Sequence, residues 1–164
     1  MDSRRPTIIS YTRVNRYSMA PAKGDDAEAL FRDGWSCSQA VACAFAQDYG
    51  IDEKTALRLS CGLGGGMGHT GNTCGAVSAA LMVIGMKYGR TSLDDSASKE
   101  KTYEVAHRFI EEFRRRNGSV NCTELLGHDL SDPDELAAAR KENVFKTTCP
   151  KFVRDAGEIL ETLL

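Results

Sequence analysis

Apolar residues recur along most of this chain at intervals of three and four, the spacing of one face of an α-helix, and nothing beyond the first twenty residues alternates as a strand does. Residues 25–32 read as a short helix with acids in its first turn, stopped at Gly34. Residues 36–49 form the next, opened by a Ser36/Gln39 capping box and closed by Gly50. Its stripe carries Cys37, Ala40, Val41, Ala44 and Phe45, and Cys43 falls well off it. Asp52 caps a shorter helix over residues 53–60. Residues 74–88 are apolar nearly all the way round, which predicts a buried central helix. Residues 99–116 are amphipathic, with Tyr103, Ala106, Phe109, Ile110 and Phe113 as the expected core face and Asn117-Gly118 as the stop. Asn121 with Glu124 resembles a second capping box, ahead of Leu125 and Leu126. A polar helix over residues 134–143 follows Pro133. The last helix is expected to start at Thr148-Cys149-Pro150, with Phe152, Val153, Ala156, Leu160 and Leu163 inward. The predicted fold is all-α, an irregular bundle of about six or seven helices with a glycine-rich loop before a buried central helix.

Residues 1–23 mix Arg, Ser, Thr and Pro without sustained periodicity, so they are expected to be a flexible N-terminal arm, with one helical domain over 24–164. A length of 164 residues suits a single core. A net charge of -2 gives no electrostatic case for nucleic acid or an anionic membrane. No apolar run approaches the roughly eighteen residues of a membrane span. Arg4-Arg5 is followed by Pro6 and polar residues instead of an apolar stretch, so no export signal is read and a cytoplasmic location is expected. In such a reducing compartment six cysteines point to metal, cluster or redox use instead of structural disulfides.

Seven of the fifteen glycines lie from Gly62 to Gly75, and Cys61 and Cys74 bracket six of them. So dense a cluster predicts a specially shaped loop that can offer bare N–H groups to a ligand. Gly64, Gly65, Gly66, Gly68 and Gly75 are the candidate cofactor-binding positions, with Cys61 beside them. The loop lacks a Gly-Lys-[Ser/Thr] ending and follows no strand, which sets nucleotide binding aside.

Cys37, Cys74, Cys122 and Cys149 each follow a good cap residue: Ser36, Thr73, Asn121 and Thr148. A thiol at a helix start meets the positive end of the macrodipole and unpaired N–H groups, and both lower its pKa. Facing the core, the four are expected to converge as metal ligands or as redox thiols. Cys61 falls at a helix end, and Cys43 reads as an ordinary small core residue. His69 is a candidate ligand or proton donor, though a polar loop role is the simpler reading; His107 and His128 read as surface residues, Met67, Met82 and Met86 as core, and Trp35 as packing beside the site or the core.

These segments resemble the family of redox-active proteins named for its C_GCAxxG_C_C cysteine pattern. The resemblance covers roughly residues 30–160 and rests on SCSQAV, GLGGGMGHTGNTCGAVSAAL, NCTELLG and CPKFV, around Cys37, Cys74, Cys122 and Cys149. Around Cys74 the family pattern looks like Cys-Gly-Ala-x-x-Gly, and Ala79 stands here at the last position. The resemblance implies a helical protein with a prosthetic group such as an iron–sulfur cluster, working beside oxidoreductases or transporters.

Three functions are consistent with these features. Four thiolates are the usual ligand set of an iron–sulfur cluster and would equally suit zinc. Low-pKa thiols also suit reversible disulfide exchange without metal. Inert cysteines in a helical interaction module are the third. A redox partner protein is expected, and the arm and the exposed long helix suit a homodimer.

Overall fold

The computed structural model describes residues 22–164 of the chain. The arm expected over residues 1–23 lies outside the described residues except for its last two, and Lys23 already opens the first helix. Eight helices stand among the described residues: α1 (Lys23–Arg32), α2 (Cys37–Ala46), α3 (Glu53–Ser60), α4 (Gly75–Tyr88), α5 (Ser96–Asn117), α6 (Cys122–Leu126), α7 (Pro133–Lys141) and α8 (Val144–Leu163). The fold is all-α, as expected. The helix number exceeds the expected six or seven because even α6 closes its turn, between an Asn121 cap and left-handed Gly127. No helix among the described residues is long and apolar enough to cross a membrane.

The apolar girth of α4 has a direct cause: α2, α5 and α8 pack around it. Ala76, Val77, Ala79, Ala80, Val83 and Ile84 are all buried on it. The inward face of α5 differs from the expected one. Val105, Phe109 and Phe113 are buried, and Tyr103 is 61% exposed. Tyr103 stands two residues from Val105, about 200° round the helix, so both cannot face the core.

The last helix begins a full turn earlier than expected. Asn143, at φ 57, caps α8, and Pro150 lies inside it. Pro150 therefore leaves the Lys146 carbonyl without its helical donor, and its buried ring packs in the interior. Cys149 is in the second turn of α8, not at a helix start.

α1 crosses α8 where two glycines meet. A methyl on Gly157 would stand 2.6 Å from the Gly24 Cα, and one on Gly24 would stand 2.9 Å from the Arg154 carbonyl oxygen. The crossing holds α1, and hence Phe31 at its end, against the start of α2.

Gly157→Ala is expected to lower stability by about 1–3 kcal/mol, because backbone cannot move aside as a side chain can. Gly85→Ala, in α4 with open space around it, is expected to raise stability by about 0.5–1 kcal/mol through helix propensity. Urea unfolding of the two variants beside the parent checks both signs.

Candidate redox site

The site begins with an unusual turn. Residues Gly65, Gly66, Met67, Gly68 and His69 all have positive φ, between 63° and 68°. They form one left-handed turn, closed by the Gly68 N–H donating to the Gly64 carbonyl at 2.8 Å. Left-handed backbone costs an L-residue roughly 1–2 kcal/mol, which explains three glycines in five positions. Met67 and His69 bear that cost, and Met67 is 44% exposed instead of core.

The turn places two groups. The His69 ring lies on Gly65, where a methyl would stand 2.5 Å from its Cδ2. The Gly65 N–H is directed at the sulfur of Cys37.

Cys37 is the first residue of α2, and the expected capping box is present. Ser36 accepts from the Gln39 N–H, and the Gln39 side chain accepts from the Ser36 N–H. Gln39 and Ser38 also tie this end to α3, donating to the carbonyls of Leu57 at 3.1 Å and Ser60 at 2.8 Å. The start of α4 comes in against the same sulfur. A methyl on Gly75 would stand 2.6 Å from Cys37 Sγ and 2.8 Å from the Leu63 carbonyl oxygen, so glycine is required there by space.

Cys74 is the N-cap of α4, one residue earlier than the sequence suggests. Its own N–H donates to the Val120 carbonyl at 2.8 Å, and the Cys122 N–H donates to the Asn72 carbonyl at 2.7 Å. Around them a single antiparallel bridge joins Thr73 to Asn121. The glycine segment and the start of α6 are thereby fastened to each other. Gly66 packs directly behind Cys122, where a methyl would stand 2.6 Å from the Cys122 Cβ. Asn121 caps α6 as expected, but Glu124 accepts from Ser119 at 2.6 Å instead of returning to the Asn121 N–H.

Cys37, Cys74, Cys122 and Cys149 are free, buried and line one cavity of about 190 Å³. Its other walls include Phe31, Leu125, Leu126, Phe145 and Phe152. His69, exposed and edge-on to Phe145, is the remaining ionisable group on the lining.

The four thiols are electrostatically unequal. Cys37 is lowered to about 7, first because the Cys74 thiol donates to its thiolate and then because the N–H groups of Gly65, Ser38 and Ala76 point at it. Cys74, as that donor, is held well above the ordinary thiol range, and burial adds to the effect. Burial pushes Cys122 up to about 12, with the Cys37 charge reinforcing it. Burial likewise raises Cys149, with Cys37 and Cys122 adding to the shift. A thiolate on all four, expected from helix starts, thus reduces to one thiolate and three thiols. Cys149 has lost its helix start, Cys74 is held protonated first by its hydrogen bond to Cys37 and then by burial, and at Cys122 desolvation outweighs the dipole.

The other candidates lie apart. Cys61 is exposed and lines no part of the cavity. Cys43 is half-buried and raised to about 11 by burial and by Glu53. Gly64 backs onto Ser36, and a methyl on Gly68 would stand 3.9 Å from the Gly62 carbonyl oxygen, away from the cavity lining. His128, read as a surface residue, is only 17% exposed at its side chain and sits between Glu135 at 3.5 Å and Glu142 at 3.6 Å. Among the described residues no three His, Cys, Asp or Glu side chains stand where they could hold one metal ion. The four thiols supply the right donor type for a cluster or zinc, but this side-chain arrangement does not fit a metal.

Alkylation by iodoacetamide is expected to show one fast thiol whose rate rises with pH through about 7, the Cys37 thiolate. Cys74→Ala removes the donor that favours the thiolate, so this midpoint should move up. A parental midpoint at the free-cysteine value near 8.5 would show that the cradle does not act on Cys37.

Searches of curated proteins and of solved structures returned no match to this chain. A family model does match it, over residues 35–163, which takes in the four cavity cysteines and the glycine turn. With that match spanning well over half of its length, the chain belongs to the C_GCAxxG_C_C family, described as "Putative redox-active protein".

Proposed function

We propose that this protein is a dithiol–disulfide redox protein in which Cys37 is the attacking thiol and Cys74 the resolving one. The observation that carries this reading is that Cys37 and Cys74 line one cavity, where the start of α4 comes in against the Cys37 sulfur; hydrogen bonding from Cys74 lowers the Cys37 pKa in support of it. A thiol with a pKa near the ambient pH combines adequate thiolate with high nucleophilicity.

The chemistry follows from the two roles. The Cys37 thiolate attacks one sulfur of a disulfide substrate, R–S–S–R, and the first R–S⁻ leaves and is protonated by solvent. Cys74 then loses its proton, for which His69 at the cavity mouth is the available acceptor. The Cys74 sulfur attacks Cys37 Sγ and expels the second R–S⁻, which takes up that proton. Two protein thiols become one disulfide, and two electrons pass to the substrate, which leaves as two thiols. A partner dithiol returns the protein to its starting state by the reverse exchange. Cys122 and Cys149, held as thiols, wall the cavity behind the pair.

The expected result is that a small disulfide added to the reduced protein removes two thiols per chain at the cavity, restored by a dithiol reductant. Cys37→Ser should abolish the loss, and Cys74→Ser should stop at the mixed disulfide, one substrate half retained by mass. His69→Ala should slow the second step by about 10²-fold or more while leaving the first unchanged. Loss of the same two thiols in Cys37→Ser would overturn the assignment.

One observation favours a second reading: four cysteines from four parts of the chain line a single cavity. Four such thiols are the ligand set of an iron–sulfur cluster or of zinc, and holding either would require the side chains to reorient. Anaerobic purification with iron, sulfide and zinc counted per chain tests it. Near-stoichiometric metal, lost in Cys122→Ser and Cys149→Ser, would replace the dithiol reading.

A further inference from the structure

The two segments that bring Cys37 and Cys149 to the thiol cavity have a second side. Gly34 and Trp35, just before Cys37, and Lys146 and Pro150, around Cys149, line another cavity of about 350 Å³ together with Phe31 and Arg32. Phe31 belongs to both linings, so the cavities adjoin across its ring. The proposed reaction uses nothing in this second cavity.

Its chemistry is mixed and directional. Trp35, 39% exposed, supplies a large apolar face with Phe31 and Pro150. No acidic residue is on the lining, which carries two cations. Arg32 is held by Glu28 at 2.5 Å. Glu28 also takes Arg154, so it is shared between two cations. Lys146 has no ion-pair partner among the described residues, and it lies in the first turn of the 20-residue α8, where the helix dipole is positive. An apolar floor with a free ammonium and a helix start above it suits an organic anion.

We propose that this second cavity binds the carboxylate-bearing part of a small disulfide or thiol, and so sets the substrate class of the cysteine pair. The proposal rests on the dithiol reading for its link to chemistry, but the cavity's own ligand preference can be measured without any reaction. A ligand seated with its carboxylate at Lys146 and its apolar body on Trp35 would reach past Phe31 with its sulfur towards Cys37. The volume lies within the range of roughly 300–1,000 Å³ typical of small-molecule sites.

Trp35 is the single tryptophan of the chain, so its emission reports on this cavity alone. Cys37→Ser/Cys61→Ser, which lacks both the attacking thiol and the exposed one, is titrated with oxidised glutathione, an anionic disulfide, and with cystamine, a cationic one. Reduced wild-type protein titrated with reduced glutathione gives a second measurement that depends on no variant. The expected result is a saturable change with the glutathione forms, little with cystamine, and an affinity weakened about tenfold or more by Lys146→Glu, the worth of one charged hydrogen bond. No saturable change, an equal response to cystamine, or an unchanged affinity in Lys146→Glu would each overturn the proposal. The two readings separate cleanly. Oxidation of wild type by glutathione disulfide at the same rate in Lys146→Glu removes this site and leaves the dithiol chemistry. Saturable, Lys146-dependent binding without thiol loss in wild type leaves this site and removes the chemistry.

Discussion

A negative charge on the Cys37 sulfur in a buried position is the constraint on which the rest of the site depends. An unsupported thiolate there would be strongly disfavoured by desolvation. Three N–H groups and one thiol oppose that, and they come from three separate elements: Ser38 in α2, Ala76 in α4, and Gly65 in the left-handed turn, with Cys74 at the cap of α4. Each can reach the sulfur only if the two helix starts meet at one point. Their meeting requires the absence of a side chain at Gly75 and a backbone at Gly65 that most residues cannot adopt. The glycine density of this stretch is the sequence trace of that requirement.

The core serves the same arrangement. α4 is clamped on three sides by α2, α5 and α8, so the helix start that supports Cys37 is fixed from behind. The α2 start is fixed from its side by Ser38 and Gln39 on the end of α3. The glycine segment is fastened to α6 by backbone bonds at Asn72, Cys74 and Cys122, so that Cys122 and Cys74 cannot shift independently. Such preorganisation lets one thiol differ from its neighbours although all four lie in the same apolar surroundings.

Much of this was legible in the sequence, and the misses have physical causes. The capping box at Ser36, the all-round apolar helix and the convergence of four cysteines were readable because each is a local pattern with one good explanation. The start of α8 was not, because Pro150 gives the same signal whether it opens a helix or sits in its second turn. The single bridge between Thr73 and Asn121 has no alternation to reveal it. The handedness of the turn at Gly65 was signalled only by glycine content, which does not say that Met67 and His69 follow the same path. The inequality of the thiols was hidden most deeply, since dipole and burial act in opposite senses and only packing decides between them. Trp35 was expected beside the site or in the core; it is 39% exposed, and the cavity it lines becomes visible only when α8 is in place.

The close fit around Cys37 has a consequence for oxidative damage. At Gly75 not even a methyl group can stand beside the sulfur without coming within 2.6 Å of it. A sulfinic acid needs room for two added oxygens, and a sulfonic acid for three. The start of α4 thus closes one side of the sulfur, and the cavity that Cys37 lines lies open to another. Exchange adds one sulfur from the cavity side, whereas each added oxygen turned towards Gly75 would meet the start of α4, so the packing that supports this thiol also narrows the room for its over-oxidation.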